Sequence, residues 1–426
     1  MPVNAPAGSA AGEGLEAVVE QLWAPALATG EVVVARHHDP GNGWRTLEGY
    51  RAIPSLSRAR LLVPDGPRAL GARAVGNYRA LLPAAAHARR TALTAGAWAG
   101  LPLVSQRVLL QARADLGRTP LTPMTLLRDR LGEPDLTATW RVNLNTNRKA
   151  TLQLLDRRGA PRGLAKFAWE PLSAEGVRRE AAALRDLAGQ LRVTRVPALR
   201  TEEDYYGQPA VVAAPLPPDV RGAGVRRRPP SPVEVHDLFP VVGRSTAATT
   251  GTCRALAGRL DSLASAHPGD ASVATARALL REALASPSHL PVAARWHGDF
   301  VPWNCARDDD GTLWVWDWET SEREAPAGLD SLHWAVGARQ EQHGERWEAA
   351  TVMRALDDAT PMLRALGIAP SDRSTVLAVY AAALAERVLA HALGEGGWQE
   401  EWMLREQLDA ILAAAGRLLR DTVTNP

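Results

Sequence analysis

At 426 residues the chain has room for two or three domains with well-buried cores. Hydrophobic residues at 46% and charged residues at 23% place it among globular proteins and exclude disordered or fibrous classes. A formal net charge of +2 argues against a dedicated nucleic-acid binder, so no nucleic-acid partner is expected.

Two cysteines, Cys253 and Cys305, cannot form a disulfide framework for a protein this large, which points to a reducing, cytoplasmic setting. The first residues lack both the basic cluster and the apolar core of a secretory signal, so 1–14 reads as a disordered tail. The longest apolar stretch, 375–385, stops at Glu386-Arg387, short of the ~20 residues a bilayer requires, and no membrane span is expected. Positive charge is written almost entirely as arginine: Lys149 and Lys166 are the only lysines.

In chain order, 15–135 mixes helical patterns (15–27, 67–90) with short apolar runs near 31–35 and 60–64, an N-terminal α/β region. Three strands are expected next, over 138–144, 150–156 and 163–169, with a turn at 157–162, which implies an antiparallel sheet. A helix follows over 173–190, with Ser173 as N-cap and Val177, Ala181, Leu184 and Leu187 at helical spacing. Strand-like segments near 196–199 and 209–214 lead to a Pro-, Gly- and Arg-rich stretch, 217–232, read as a linker or loop. Beyond it the chain is mainly helical to about 420, interrupted by a strongly patterned segment over 294–318.

That segment carries the chemistry. Asp308-Asp-Asp-Gly311 signals a tight turn and 312–316 is β-branched and aromatic, so a hairpin should return Asn304 beside Asp317. An amide carbonyl and a carboxylate are hard oxygen donors of the kind that hold Mg²⁺ together with a nucleotide's phosphates. Five residues before Asn304 stands Asp299, preceded by Gly298 for a tight backbone path and by His297, whose ring can brace the loop. In phosphoryl transfer an aspartate so placed orients the acceptor hydroxyl and accepts its proton.

The run His297-Gly-Asp-Phe-Val-Pro-Trp-Asn304, followed by Trp316-Asp317-Trp-Glu, resembles the catalytic signature of the aminoglycoside phosphotransferase and choline kinase superfamily. The resemblance covers roughly 136–415. It implies an α+β, two-lobed protein kinase-like fold: an antiparallel N-lobe over 136–216 and a helical C-lobe over 233–420, with 15–135 as an additional lobe. The nucleotide is expected beside 213–217. Asp299 is implied as catalytic base and Asn304 and Asp317 as metal ligands. Lys166 and Glu180 match the strand lysine and helix glutamate whose ion pair sets the nucleotide's phosphates. Asp330 matches an aspartate that opens a helix and supports the catalytic loop, a structural role.

One departure from the family pattern concerns the first turn, 143–150, which contains no glycine where kinase-like folds usually cover the phosphates with a Gly-rich loop. Arg148 or Lys149 is left to reach a phosphate directly. Among weaker signals, His37-His38-Asp39 reads as a solvated turn and Arg226-Arg227-Arg228 as a solvated run. Cys305 and most tryptophans around the loop read as core, with Trp303 undecided.

The function expected from these residues and the resemblance is an ATP- or GTP-dependent, Mg²⁺-requiring phosphotransferase acting on a small-molecule hydroxyl. The acceptor is an aminoglycoside, an amino alcohol or a sugar-like molecule, and the acidic balance beyond residue 321 mildly favours a cationic one. The N-terminal region is left free to engage a protein partner. The competing expectation is a pseudokinase-like module that binds nucleotide and organises a partner without turnover.

Overall fold

The computed structural model describes residues 16, 19–36, 43–56, 58–76, 91–92, 94–96, 106–141, 149–220, 228–394, 397–398 and 403–424. The expected tail, His37 to Asp39, Arg148, Arg226 and Arg227 lie outside the described residues. By its internal contacts the chain divides into two compact units, Met1–Arg185 with Pro197–Leu216, and Asp186–Val196 with Pro217–Pro426.

The first unit is built on one sheet. Its strands are β1 (Val32–Arg36), β2 (Trp44–Ile53), β3 (Leu61–Pro64), β4 (Arg107–Arg113), β5 (Thr137–Arg141), β6 (Lys149–Leu155), β7 (Pro161–Ala168), β9 (Leu199–Tyr205) and β10 (Gln208–Ala213); β8 (Thr194–Arg195) belongs to the second unit. They run in the order β1-β4-β2-β3-β5-β6-β7-β10-β9, every pairing antiparallel. Residues 15–135, expected as an additional lobe, therefore extend the same sheet as the strands after 136. The join is β3 against β5, where Leu61 faces Arg141 and Leu62 faces Trp140.

Alternation along the strands sorts the two faces. On one face Leu62, Leu152, Leu154, Ala165, Phe167, Ala210 and Val212 enter a single buried cluster with Trp23, Tyr50 and Trp140. Trp140 stands 5.4 Å from both Trp23 and Tyr50, ring centre to ring centre. Helix α2 (Pro123–Leu131), which follows α1 (Arg68–Gly76), adds Met124 and Leu127 to this cluster. Thr122 opens α2 with a capping box to Thr125, and Gly132 closes it at φ 65°. The N-terminal segment thus covers the sheet from behind.

The opposite face of β7 and β10 receives helix α3 (Pro171–Leu187), which packs Ala174, Val177 and Ala181 against Ala168 and Val211. Ser173 is not its N-cap, as the sequence had suggested. The helix starts at Pro171, whose fixed φ suits the first helical position, and the Ser173 hydroxyl reaches back from inside the first turn to accept from the N–H groups of Trp169 and Glu170.

The second unit is mainly helical. Its helices are α4 (Pro232–Leu238), α5 (Gly251–Ala266), α6 (Ala271–Leu284), α7 (Leu329–His343), α8 (Ala349–Ala365), α9 (Arg373–Ala392) and α10 (Arg405–Thr424). Strands β11 (Val241–Thr246), β12 (His289–Trp296) and β15 (Glu322–Pro326) form one small sheet, and β13 (Cys305–Arg307), β14 (Leu313–Val315) and β8 another. The 370–392 segment containing α9 is long and apolar enough to cross a bilayer by length and composition, more than the sequence reading allowed; 78% of its apolar window is buried within the protein. At the expected linker, Arg228 and Pro229 offer their carbonyls to Arg307, whose guanidinium pairs with buried Glu234 at 2.6 Å.

If the N-terminal segment and the later strands share one core, Trp140→Ala should cost about 3–5 kcal/mol in denaturant unfolding. In a chain beginning at residue 136 the backbone amides of β5, β6 and β7 should lose their protection from hydrogen exchange; protection retained there would mean that 15–135 is dispensable to the sheet.

Candidate active site

The second unit presents the patterned loop between β12 and β13, and its backbone is held almost entirely by side chains. Both oxygens of Asp330, in the first turn of α7, accept from the loop: Oδ2 from the N–H of His297 at 2.7 Å and Oδ1 from that of Gly298 at 3.0 Å. The N–H of Asp299 donates to His297 Nδ1 at 3.2 Å. The carbonyls of Trp296, His297, Gly298 and Asp299 accept in turn from Ser321, Thr320, Arg387 and Asn304. An unpaired buried peptide group is costly, so these bonds fix the loop's path from Trp296 to Asp299.

Two glycines make the close approaches. Gly298 lies at φ 80°, and a Cβ there would fall 2.7 Å from the Thr320 carbonyl oxygen. On α7, a Cβ at Gly337 would fall 2.9 Å from Val301, so the absence of a side chain lets the helix seat against the loop.

His297 is fully buried and its ring lies tilted against Trp318, 4.4 Å between ring centres. Because Nδ1 accepts from Asp299, the proton sits on Nε2, which donates to the Trp316 carbonyl at 3.0 Å. Burial pushes this ring down to about 4, so it is neutral and acts as a brace between the loop and the hairpin. Burial pushes the Asp330 carboxyl up to about 7, against the pull of the two backbone donors and of Arg387.

The hairpin forms in the expected register. Cys305 faces Val315, the Trp316 N–H donates to the Asn304 carbonyl at 3.1 Å, and Gly311 turns the chain at φ 83°. Asn304 thus sits opposite the residue preceding Asp317. Asp317 itself adopts φ 69°, a left-handed conformation uncommon for residues other than glycine and tolerated best by Asn and Asp. Cys305 is buried and donates to the Val301 carbonyl, while Trp296 and Trp318 are core and Trp303, Trp314 and Trp316 are half-buried.

Asp299 keeps about a third of its side chain exposed. Its Oδ2 accepts from Asn304 Nδ2 at 2.8 Å and its Oδ1 from His333 Nε2 at 3.1 Å, with Arg387 3.7 Å away. Burial works to raise the carboxyl, but the hydrogen bond from His333 and the positive charge of Arg387 help to outweigh it and hold Asp299 below its ordinary value. Burial lowers His333, and its other ring nitrogen lies 3.1 Å from the Tyr380 hydroxyl. With a neutral ring, Nε2–H donates to Asp299 and Nδ1 accepts from Tyr380. Neither His333 nor Arg387 was picked out from sequence. The available signal was helical spacing, because Asp330 and His333 are three residues apart and share one face of α7.

In the first unit, Lys166 on β7 is buried and pairs with buried Glu180 on α3. Lys149 opens β6 opposite Ala168, and Thr151 lies opposite Lys166, so Lys149 and Lys166 occupy the same face of the sheet.

In three dimensions the chain is similar to small-molecule kinases of the protein kinase-like fold. Choline kinase LicA from Streptococcus pneumoniae matches at 10% identity, over 71% of this chain and 99% of that one, with a TM-score of 0.41. A GDP complex of an aminoglycoside 2'-phosphotransferase mutant matches at 12% identity over 71% and 96%, TM-score 0.39. A Plasmodium vivax ethanolamine kinase matches at 10% identity over 68% and 84%, TM-score 0.39. No protein-family model matches the chain, and no curated protein matches it in sequence.

The buried His297 yields a pH test. Its ring ordinarily titrates at 6.5 and in the folded protein at about 4. Between those values the unfolded chain binds the extra proton, so this contribution to stability, worth about 3 kcal/mol in full, is lost as pH falls from 6.5 through 4. Asp330, raised from 3.8 to about 7, runs in the opposite sense over much of the same range. The stability difference between wild type and His297→Gln isolates the histidine, and it should shrink as pH drops from 6.5 to 4. A difference independent of pH would contradict a buried neutral ring.

Proposed function

We propose that this protein is a phosphotransferase that moves the γ-phosphate of ATP or GTP onto a hydroxyl of a small molecule, with Asp299 as the base. The observation that carries the reading is the state of Asp299: partly exposed, kept ionised, and fixed by Asn304 and His333 on a loop whose peptide groups from His297 to Asp299 are engaged.

In this reading the acceptor hydroxyl donates its hydrogen bond to Asp299. As the oxygen forms its bond to the γ-phosphorus, the bond to the departing nucleoside diphosphate breaks and the proton passes to the carboxylate. His333, neutral and anchored by Tyr380, keeps the carboxylate turned to one rotamer. Lys166, oriented by Glu180, is the proposed contact for the nucleotide's phosphates, with Lys149 on the same face of the sheet as a second. His297 and Asp330 have structural roles in holding the loop.

The donor set suits Mg²⁺. The amide nitrogen of Asn304 is spent on Asp299, so the atom it has to offer is its carbonyl oxygen, and Asp317 supplies a carboxylate from the adjoining turn. A divalent ion held by Asn304 and Asp317 would neutralise charge on the triphosphate.

The acidic balance beyond residue 321 supports a cationic acceptor, an aminoglycoside or amino alcohol, with sugar-like hydroxyls next in line. A cytoplasmic setting fits both the nucleotide requirement and two free, buried cysteines.

Asp299→Asn should lower turnover by about 10²–10⁴-fold while nucleotide affinity stays within a few-fold of wild type. Near-normal turnover would remove Asp299 as the base, and nucleotide binding by the wild type without turnover on any acceptor would favour a non-catalytic binding module.

Lys166→Ala should weaken nucleotide binding at least about tenfold, the loss of one buried charged contact. Lys149→Ala should weaken it more than Arg157→Ala, a change at an exposed arginine, in the same titration calorimetry; equal effects would dismiss Lys149 as a phosphate ligand.

A further inference from the structure

The base has a cation beside it that its own loop does not supply. Residues 297–304 contain no lysine or arginine, and His297 is neutral. The charge comes from Arg387 on α9, whose Nη1 stands 3.7 Å from Asp299 Oδ1. Tyr380 and Arg387, two turns apart on that helix, both reach the base, the tyrosine through His333 and the arginine directly. The neighbouring carboxylate, Glu386, is taken by Arg259 at 3.1 Å, so Arg387 is not half of a local ion pair.

Little of this guanidinium is spent. Among the described residues its hydrogen bonding amounts to one bond, from Nη2 to the Gly298 carbonyl. A guanidinium carries five N–H donors in a planar fork. Asp299 lies beyond hydrogen-bond reach of Nη1. The Arg387 side chain is 19% exposed, yet neither Nε nor Nη1 is sealed off, in contrast to Nε of Arg373. Unspent, reachable donors beside a carboxylate that is itself a third exposed fit an incoming oxyanion.

We propose that Arg387 is a catalytic residue: it donates to the oxygens of the phosphoryl group being transferred while Asp299 receives the acceptor's proton. This rests on the kinase reading of the site. As the bond to the departing nucleoside diphosphate breaks, negative charge is spread over the three outer oxygens of that group, and a fixed guanidinium stabilises it. Arg387 keeps its proton throughout, so its part is electrostatic and no bond is made or broken at it. The bond from Nη2 to Gly298 ties the fork to the loop that carries Asp299, which keeps base and cation in register.

Such a contact tells a triphosphate from a diphosphate, and titration calorimetry on the full-length chain with Mg²⁺ reads it. The probes are the better bound of AMP-PNP and GMP-PNP and the matching diphosphate. Arg387→Met, close in length but uncharged, should weaken the triphosphate analogue about tenfold or more and the diphosphate less than about twofold. On any acceptor that is turned over, the same variant should lower kcat about 10²-fold or more while the acceptor's KM stays within about threefold. Should Arg387→Met fail to fold, Arg387→Lys, which keeps the charge and loses the fork, should still weaken the triphosphate analogue at least about threefold with the diphosphate unchanged. A role confined to holding the loop through Gly298 weakens both nucleotides alike or neither, and either result overturns the proposal while leaving the kinase reading intact. A wild-type chain that binds neither nucleotide overturns both.

Discussion

The geometry of the candidate site depends on one buried carboxylate. Asp330 takes two successive backbone N–H groups of the loop that carries Asp299, one on each oxygen, and so ties that loop to the first turn of α7. Paired hydrogen bonds from successive N–H groups to one carboxyl define a direction as well as a distance, and here they act on a glycine-containing segment with little stiffness of its own. Once those two groups are fixed, the carbonyls from Trp296 to Asp299 fall within reach of Ser321, Thr320, Arg387 and Asn304. Asp299 then projects from a frame that leaves its carboxylate little freedom, and the same helix brings His333 to one of its oxygens.

The first unit solves a different problem. A lysine can be buried at modest cost when its partner is equally fixed, and Lys166 has Glu180 on a helix packed through Val177 and Ala181 onto the lysine's own face of the sheet. That face stays usable because the opposite one is covered by the N-terminal segment, where Trp23, Tyr50 and Trp140 meet. The described residues between 16 and 135 thus have a packing role.

Local patterns were legible in the sequence and long-range ones were not. The hairpin returning Asn304 toward Asp317 could be read because its turn and both strands fall within fourteen residues, and Lys166 stood out in a chain that otherwise writes its charge as arginine. Ser173 misled because a hydroxyl near a helix start looks the same in sequence whether it caps from outside or from within the first turn, and Pro171 was the stronger boundary signal. His333 and Arg387 escaped notice because they reach Asp299 from 34 and 88 residues away, with no motif linking them to the loop. Strand order escaped for a similar reason: β3 meets β5 through two residue pairs, and nothing in the local pattern of 61–64 names its partner.

The central claim is that Asn304 and Asp317 hold a metal for a nucleotide whose γ-phosphate faces Asp299. A crystal structure with Mg²⁺ and a non-hydrolysable triphosphate analogue tests it most directly. The account predicts an ion about 2.1 Å from an oxygen of each of the two residues and shared with the phosphates. A well-ordered nucleotide whose metal and terminal phosphate lie away from Asn304, Asp317 and Asp299 would contradict it.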